Sequence, residues 1–278
     1  MEYLMTYGWA ILIIAVVLGA LFQLGVFNSS SFSPRAPPGA CQVFRPSGPG
    51  TTTNINLMGV CTGQLPQYVG KFNGGSSYID TGNSVAVLNI LNSITVTAWI
   101  KVSAFSAIGG IVSKYQDSST GSWYFSLGAS SPYNNVRVTF IDSAGSYRGG
   151  DNTATLTTDT WTHVAWTYGG SGPIMVYING VGQQVGTASN PIMANPHSVY
   201  IGVQGTFFNG QIANVQVYNT SLSANQIQAL YLEGIGGAPM KLQNLAGWWP
   251  LNGNANDYSG NNNNGVPTSV TFTSQYGK

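Results

Sequence analysis

Ile94-Thr95-Val96-Thr97-Ala98-Trp99-Ile100-Lys101 alternates without a break, Ile94, Val96, Ala98 and Ile100 against Thr95, Thr97, Trp99 and Lys101. Period two over such a length marks a β-strand with one face on a core. The same rhythm recurs on both sides of this stretch, at 68–72, 78–80, 110–114, 123–127, 136–141, 160–168, 174–178, 199–203 and 211–218, with turn signals roughly every 8–12 residues. The segments 160–168 and 174–178 read as a hairpin across the glycine-rich 169–172, and Asn179-Gly180 is a tight-turn signal. At 221–233 the rhythm breaks: Leu222, Ile227, Leu230 and Tyr231 follow helical spacing behind Ser223, a residue suited to cap a helix N-terminus. Many strands and one short helix predict an all-β sandwich.

The composition fits that reading. The chain has 278 residues with 36 glycines and 15 tyrosines, only 6% charged residues, and a net charge of +1. So neutral a chain lacks the basic surface that nucleic acid requires. The repeating pattern spans 67–278, enough for one sandwich with a sizeable core.

Residues 1–27 are of another kind. From Gly8 to Phe27 only Gln23 is polar, and the first basic residue is Arg35, beyond the apolar run. An apolar segment of that length, predicted helical, either spans a membrane or is buried in an apolar assembly. A membrane anchor ordinarily carries Lys or Arg on its cytoplasmic flank, so a basic leader removed by processing is expected. The small residues Gly8, Ala10, Ala15, Gly19 and Ala20 mark where neighbouring helices approach, and Glu2 requires a partner if it is buried. Residues 28–66 are rich in Pro, Gly and Ser and read as a linker with little regular structure. In an exported chain, Cys41 and Cys61 read as one disulfide tying that linker. The sequons at Asn28 and Asn219 are candidate N-glycosylation sites.

The block Met1-Glu2-Tyr3-Leu4-Met5-Thr6-Tyr7-Gly8-Trp9-Ala10-Ile11-Leu12 resembles the N-terminus of archaeal type IV pilins. That resemblance implies cleavage by a prepilin peptidase, residence in the membrane before assembly, and export by a membrane assembly machinery. It also implies polymerisation through the helix into an extracellular, cell-surface helical homopolymer. The family usually carries its glutamate at the fifth mature position, whereas here it is second. The β-rich part resembles the LamG, or concanavalin A-like, jelly roll. The likeness is carried by the 94–100 stretch, Ile111-Val112-Ser113-Lys114-Tyr115, Trp161-Thr162-His163-Val164-Ala165-Trp166-Thr167-Tyr168, Val176-Tyr177-Ile178-Asn179-Gly180 and the run from Phe208 to Tyr218. Residues 245–265, from Leu245-Ala246-Gly247-Trp248-Trp249 to Asn264-Gly265, resemble the opening of such a domain yet stand at its end. A circularly permuted sandwich is therefore expected, with strands at 247–251 and 266–272.

Concanavalin A-like folds include glucanases, which need two carboxylates flanking the scissile bond. The aspartates at 80, 117, 142, 151, 159 and 257 are scattered singly near turns, and no nucleophile motif is present, so the reading is not an enzyme. Glycan binding is the livelier alternative, with Tyr115, Trp123, Tyr133, Tyr147, Phe207 and Phe208 near turns as candidate stacking residues. The opposing reading of each is an ordinary core or cross-strand aromatic. The LamG resemblance also implies calcium at Asp257, with Asn262 and Asn264 supplying further oxygens. The functional expectation is a pilin whose outer domain adheres to surfaces or glycans. The alternative is a monomeric membrane-anchored lectin.

Overall fold

The structure, a computed structural model, describes Ile13, Ile14, Val17 and residues 40–48, 51–58, 66–82, 87–105, 107–114 and 122–274. Two antiparallel sheets face one another. The eight-stranded sheet runs Val181–Ala188 (β12), Gly172–Ile178 (β11), Trp161–Tyr168 (β10), Ile94–Val102 (β5), Asn209–Tyr218 (β16), Tyr68–Asn73 (β3) and Thr271–Ser274 (β19), with Leu245–Trp249 (β17) also on β16. The seven-stranded sheet runs Val266–Thr268 (β18), Tyr78–Asp80 (β4), Tyr200–Ile201 (β13), Gly110–Lys114 (β6), Trp123–Leu127 (β7), Val136–Ile141 (β8) and Tyr147–Asp151 (β9). The expected all-β sandwich is present.

The alternation of β5 is realised as read. Ile94, Val96, Ala98 and Ile100 enter the core, where Val164 and Trp166 of β10 and Val215 and Val217 of β16 meet Val112, Phe125, Val138 and Phe140 of the opposite sheet. Removing this apolar surface from water is the main force that holds the two sheets together. Trp166 packs edge-on to Trp123, ring centroids 5.8 Å apart, and stacks on Phe140 at 6.4 Å. Two of the proposed stacking residues therefore belong to the core. Trp123 is fully buried because it falls on the inward phase of β7, and Phe208 is buried edge-on to Phe72 at 6.4 Å.

The hairpin of β10 and β11 forms as expected. Asn179 (φ +50°) and Gly180 (φ +80°) then turn the chain into β12, the paired left-handed conformation that favours Asn-Gly. The helix occupies Ala224–Glu233 (α1). The Ser223 hydroxyl accepts from the backbone N–H of Gln226, and the Gln226 side chain accepts from the N–H of Ser223, a complete capping box.

The C-terminal segment closes the sandwich. One edge of β16 is shared end to end by two strands far apart in sequence: Asn209–Ile212 pair with β3, and Val215–Tyr218 with β17. Between them Asn214 (φ +49°) bulges, and its N–H donates to the Pro250 carbonyl at 3.1 Å. The Tyr68 N–H donates to Asn252 Oδ1 at 2.8 Å, joining the start of the sandwich to its end. The strand expected over 247–251 lies at Leu245–Trp249. The strand expected over 266–272 is instead two. At Ser269 (φ +52°) the chain leaves the seven-stranded sheet, where β18 pairs with β4, for the eight-stranded sheet, where β19 pairs with β3.

Ile13, Ile14 and Val17 are helical and exposed. The rest of 1–27, including Glu2, Gly8, Ala10, Ala15, Gly19 and Ala20, lies outside the described residues, as do Asn28, Cys61 and Tyr115. Within the stretch read as a linker, Ala40–Gly48 (β1) and Thr51–Met58 (β2) pair as an antiparallel hairpin, so this region holds more regular structure than its composition suggested. Cys41 stands opposite Leu57 in that hairpin.

Candidate functional site

The outer faces of the two sheets differ. On the eight-stranded sheet, α1 and the loop that follows it, with Ile235 and Met240, cover the outward side chains. Ala165, Tyr177, Tyr218, Leu222, Ile227, Leu230, Leu245 and Trp248 form one buried cluster there, and Val69, Trp99, Ala213 and Ile235 another. Polar groups under this cover are wired together. The Tyr218 hydroxyl donates to Gln216 Oε1 (2.6 Å), Gln216 Nε2 to Asn214 Oδ1 (3.0 Å), and Trp248 Nε1 to the same Asn214 oxygen (2.7 Å). Asn214 Nδ2 completes the chain on the Gly237 carbonyl at 2.9 Å. Burial pushes the Tyr218 phenol far up, so it stays a neutral donor. His163 lies here too, its ring 5.3 Å from Trp99 and 6.2 Å from Tyr231. Its Nδ1 has no hydrogen-bond partner, and burial pulls the imidazole down to about 3. A neutral, walled-in histidine is a packing residue.

The seven-stranded sheet presents a different surface. Ile79 and Ile201 point into the core, so Tyr78, Asp80 and Tyr200 point outward, all half-buried. A short hairpin, Val203–Gln204 (β14) with Thr206–Phe207 (β15), lies over β6 and brings Phe207 beside them. The Tyr78 ring is 6.2 Å from Tyr200 and 6.5 Å from Phe207. The hairpin is fixed from below: the Ser113 hydroxyl donates to the Val203 carbonyl at 2.7 Å, and the Thr206 hydroxyl to the Ile108 carbonyl. Gly110 makes this docking possible, because a Cβ there would sit 2.2 Å from the Val203 carbonyl carbon and the Gln204 nitrogen. Burial and the Asp80 charge raise the Tyr200 phenol, which keeps its proton and can donate it. Across the sheet, Tyr124 stands opposite Ser113, and Arg137 of β8 forms an ion pair with Asp151 of β9 at 2.8 Å. Arg137 Nε also donates to Thr139 Oγ1 at 3.1 Å.

Of the proposed stacking residues, Phe207 belongs to this aromatic group. Tyr147 stands apart on the edge strand β9, 58% exposed, and Tyr133 (φ +58°) is half-buried in the loop before β8. Tyr78, Tyr124 and Tyr200 were not singled out. Their signal was period two itself: each flanks an inward residue on its strand, and a tyrosine on the outward phase is the residue to ask about.

The Asp257 loop is structural. Asp257 Oδ1 accepts from the N–H groups of Trp248 (2.9 Å) and Ser259 (2.8 Å), and Oδ2 accepts from the Ser259 hydroxyl and the Asn263 N–H, both at 2.9 Å. Asn264 Oδ1 is taken by the Asp257 N–H at 2.9 Å, and Asn262 (φ +60°) is an exposed turn residue. Calcium needs six to eight converging oxygens. Here four hydrogen donors ring the carboxylate, so the donor set as arranged does not fit the ion. Asp142 is likewise a latch, accepting from Ser146 N, Ala144 N, Asn190 Nδ2 and Arg148 Nε. The Ser146 bond leads in holding its carboxyl down near 2. Among the described residues no three of His, Cys, Asp and Glu gather as a metal site.

A family profile described as the concanavalin A-like lectin/glucanases superfamily matches residues 73–228. No curated protein matches the chain. Among solved structures, a protein from Bacteroides ovatus inferred to bind carbohydrate is 22% identical, with a TM-score of 0.58. The match covers 81% of this chain and 64% of that one, so the chain spans less than two thirds of that protein's length. Domain 4 of an extracellular GH43 arabinanase from Geobacillus stearothermophilus, solved with arabinotriose, is 21% identical over 58% of this chain and 86% of its own, TM-score 0.44. A heptameric SAP-like pentraxin from Limulus polyphemus is 19% identical over 60% and 83%, TM-score 0.45. At these identities the likeness is one of fold, while the profile spans more than half of the chain: the protein belongs to the concanavalin A-like lectin/glucanases superfamily.

Proposed function

We propose that the sandwich is an extracellular saccharide-binding domain, and that the outer face of its seven-stranded sheet is the binding surface. The observation that carries the reading is the group Tyr78, Tyr200 and Phe207. These rings are backed by the core yet partly open to solvent, on the sheet whose outer face no helix among the described residues seals. Such rings offer apolar faces to the C–H side of a sugar, while the Tyr200 hydroxyl and the Asp80 carboxylate supply a donor and an acceptor for hydroxyl groups. Among the described residues no carboxylate pair organised for glycoside cleavage accompanies them, and binding without turnover is the activity proposed.

The N-terminal segment adds the means of display. Its resemblance to archaeal type IV pilins supports a subunit that polymerises through residues 1–27 and carries the sandwich on the outside of a filament. Two measurements test the two halves separately. Titration of the full chain with neutral oligosaccharides, followed by tyrosine and tryptophan fluorescence, should show saturable binding that Tyr200→Ala weakens at least tenfold. Unchanged binding in that variant removes the face from the proposal. Electron microscopy of sheared cell-surface material should show filaments containing the chain, with yield reduced by Glu2→Ala. Recovery of the chain only as a membrane-bound monomer would favour the anchored-lectin alternative.

A further inference from the structure

At the far end of the sandwich lies a cleft of about 510 Å³, within the range of ligand pockets. Five carboxamides line it: Asn89, Asn92, Asn219, Gln243 and Asn261. None of its lining residues is charged. The loop between β4 and β5 forms one wall, and the start of β17 together with Asn261 forms the other. The second wall is rigid, since Asn261 Nδ2 donates to the carbonyls of Leu245 (2.9 Å) and Ala246 (3.2 Å). Asn219 is held as well, its Oδ1 accepting from Asn244 Nδ2 at 3.0 Å.

Much hydrogen-bonding capacity is left over. Among the described residues the amides of Asn92 and Gln243 have no partner, and Asn89 and Asn219 each engage only their side-chain oxygen. A carboxamide both donates and accepts, as a hydroxyl does. A wall of amides without charge therefore selects a neutral, hydroxyl-rich ligand over an ion, which would have no counter-charge here. Val87 and Leu91, both half-buried, add aliphatic surface, which suits the C–H edges of a sugar ring.

We propose that this cleft is a second saccharide site, taking a short neutral saccharide. It is separate from the aromatic face. Phe207 ends β15, two positions before the first residue of β16, and Asn219 follows the last, so ten residues of strand put them roughly 30 Å apart. The proposal shares with the preceding section the view that the domain binds sugar, but it rests on different residues and fails independently. Asn219 also begins the sequon Asn219-Thr220-Ser221, so a glycan on it would compete for the same cleft.

The test is calorimetric titration of the full chain in detergent with cellotriose, mannotriose and arabinotriose. In a Tyr78→Ala/Phe207→Ala variant, one binding event per chain should remain. Adding Asn92→Ala/Gln243→Ala should weaken that residual event at least tenfold, and Asn92→Trp, which fills the mouth, should abolish it. Both side chains are exposed and unpartnered, so these changes leave the fold intact, checked by an unaltered unfolding midpoint. Loss of all binding in the aromatic variant overturns the cleft, as does residual binding indifferent to the three cleft substitutions, or no uptake of any of the three sugars at millimolar concentration. Binding that survives the aromatic changes and vanishes with the cleft changes supports the cleft, and in a wild-type chain with one site it sinks the sheet face instead.

Discussion

The two sheets share a core and treat their outer faces oppositely. Over β5, β10 and β16 the outward residues Thr95, Thr97, Trp99, His163, Ala165 and Gln216 are all buried, because α1 and the loop that follows it lie across them. Polar groups there survive because they are satisfied. The Thr95 hydroxyl donates to the Thr220 carbonyl at 2.7 Å and accepts from the Leu222 N–H at 2.8 Å. Over β4, β13 and β7 the same phase holds Tyr78, Tyr200 and Tyr124, half-exposed. Tyr218 on the first sheet is structure, and Tyr200 on the second is surface. Residue type alone does not separate Tyr218 from Tyr200; what lies above them does.

Four measurements sharpen or break this contrast. The largest effect is expected on the sealed face, from Trp248→Ala. It removes a buried indole and leaves Asn214 Oδ1 without one of its two donors, and should cost about 3–5 kcal/mol in chemical denaturation. A loss below about 1 kcal/mol would mean that the cover is loose.

The next effect is of pH. The folded-state pKa of His163, about 3, lies below the unfolded value near 6.5, so the unfolded chain binds the extra proton between them. The stability is whole above about 6.5 and declines as pH falls, by up to about 1.4 kcal/mol per unit, or roughly 2–3 kcal/mol by pH 4.5. Asp142, depressed to about 2, loses its own contribution lower down, from about 4 to 2. His163→Leu should therefore flatten the profile between pH 6.5 and 4.5 and leave the steeper acid limb. An unchanged profile would mean that His163 reaches solvent.

Smaller still is Tyr218→Phe, which deletes the donor to Gln216 and the acceptor for the Met240 N–H. A cost of about 1–2 kcal/mol is expected from the unpaired partners. The smallest effect on stability should come from the open face. Tyr78→Ala is expected to cost under about 1 kcal/mol, since its ring is only partly buried, while saccharide binding falls at least tenfold. A large stability loss without a binding loss would place Tyr78 on the structural side of the comparison.

Much of the architecture could be read from local pattern. The alternation of 94–101, the Asn179-Gly180 turn and the Ser223 cap depend on neighbours a few residues away, and each is realised. Within the sandwich, β9 and β12 carry no legible alternation. β9 reads Tyr-Arg-Gly-Gly-Asp and β12 Val-Gly-Gln-Gln-Val-Gly-Thr-Ala, and both run along the side of the sandwich where the backbones come close. A Cβ on Gly150 would meet the Val185 carbonyl oxygen at 2.6 Å. Glycine there answers to a neighbouring strand, and no window of sequence contains that neighbour. The aromatic candidates divided for a related reason: proximity to a turn was legible, but Trp123 and Phe208 fell on the inward phase.

By itself the sequence determined the period of the strands, the turns that join them, the cap of the one short helix and the apolar character of residues 1–27. These follow from backbone sterics and side-chain polarity acting over a turn of chain. Only the tertiary structure decided which outer face is sealed, that β3 and β17 share one edge of β16, that 266–274 bridges both sheets, and that five carboxamides from four separate stretches meet in one cleft. Those outcomes depend on contacts between residues such as Tyr68 and Asn252, 184 positions apart. Their energy comes from burial and pairing that exist only once the sheets have closed, and no local pattern records it.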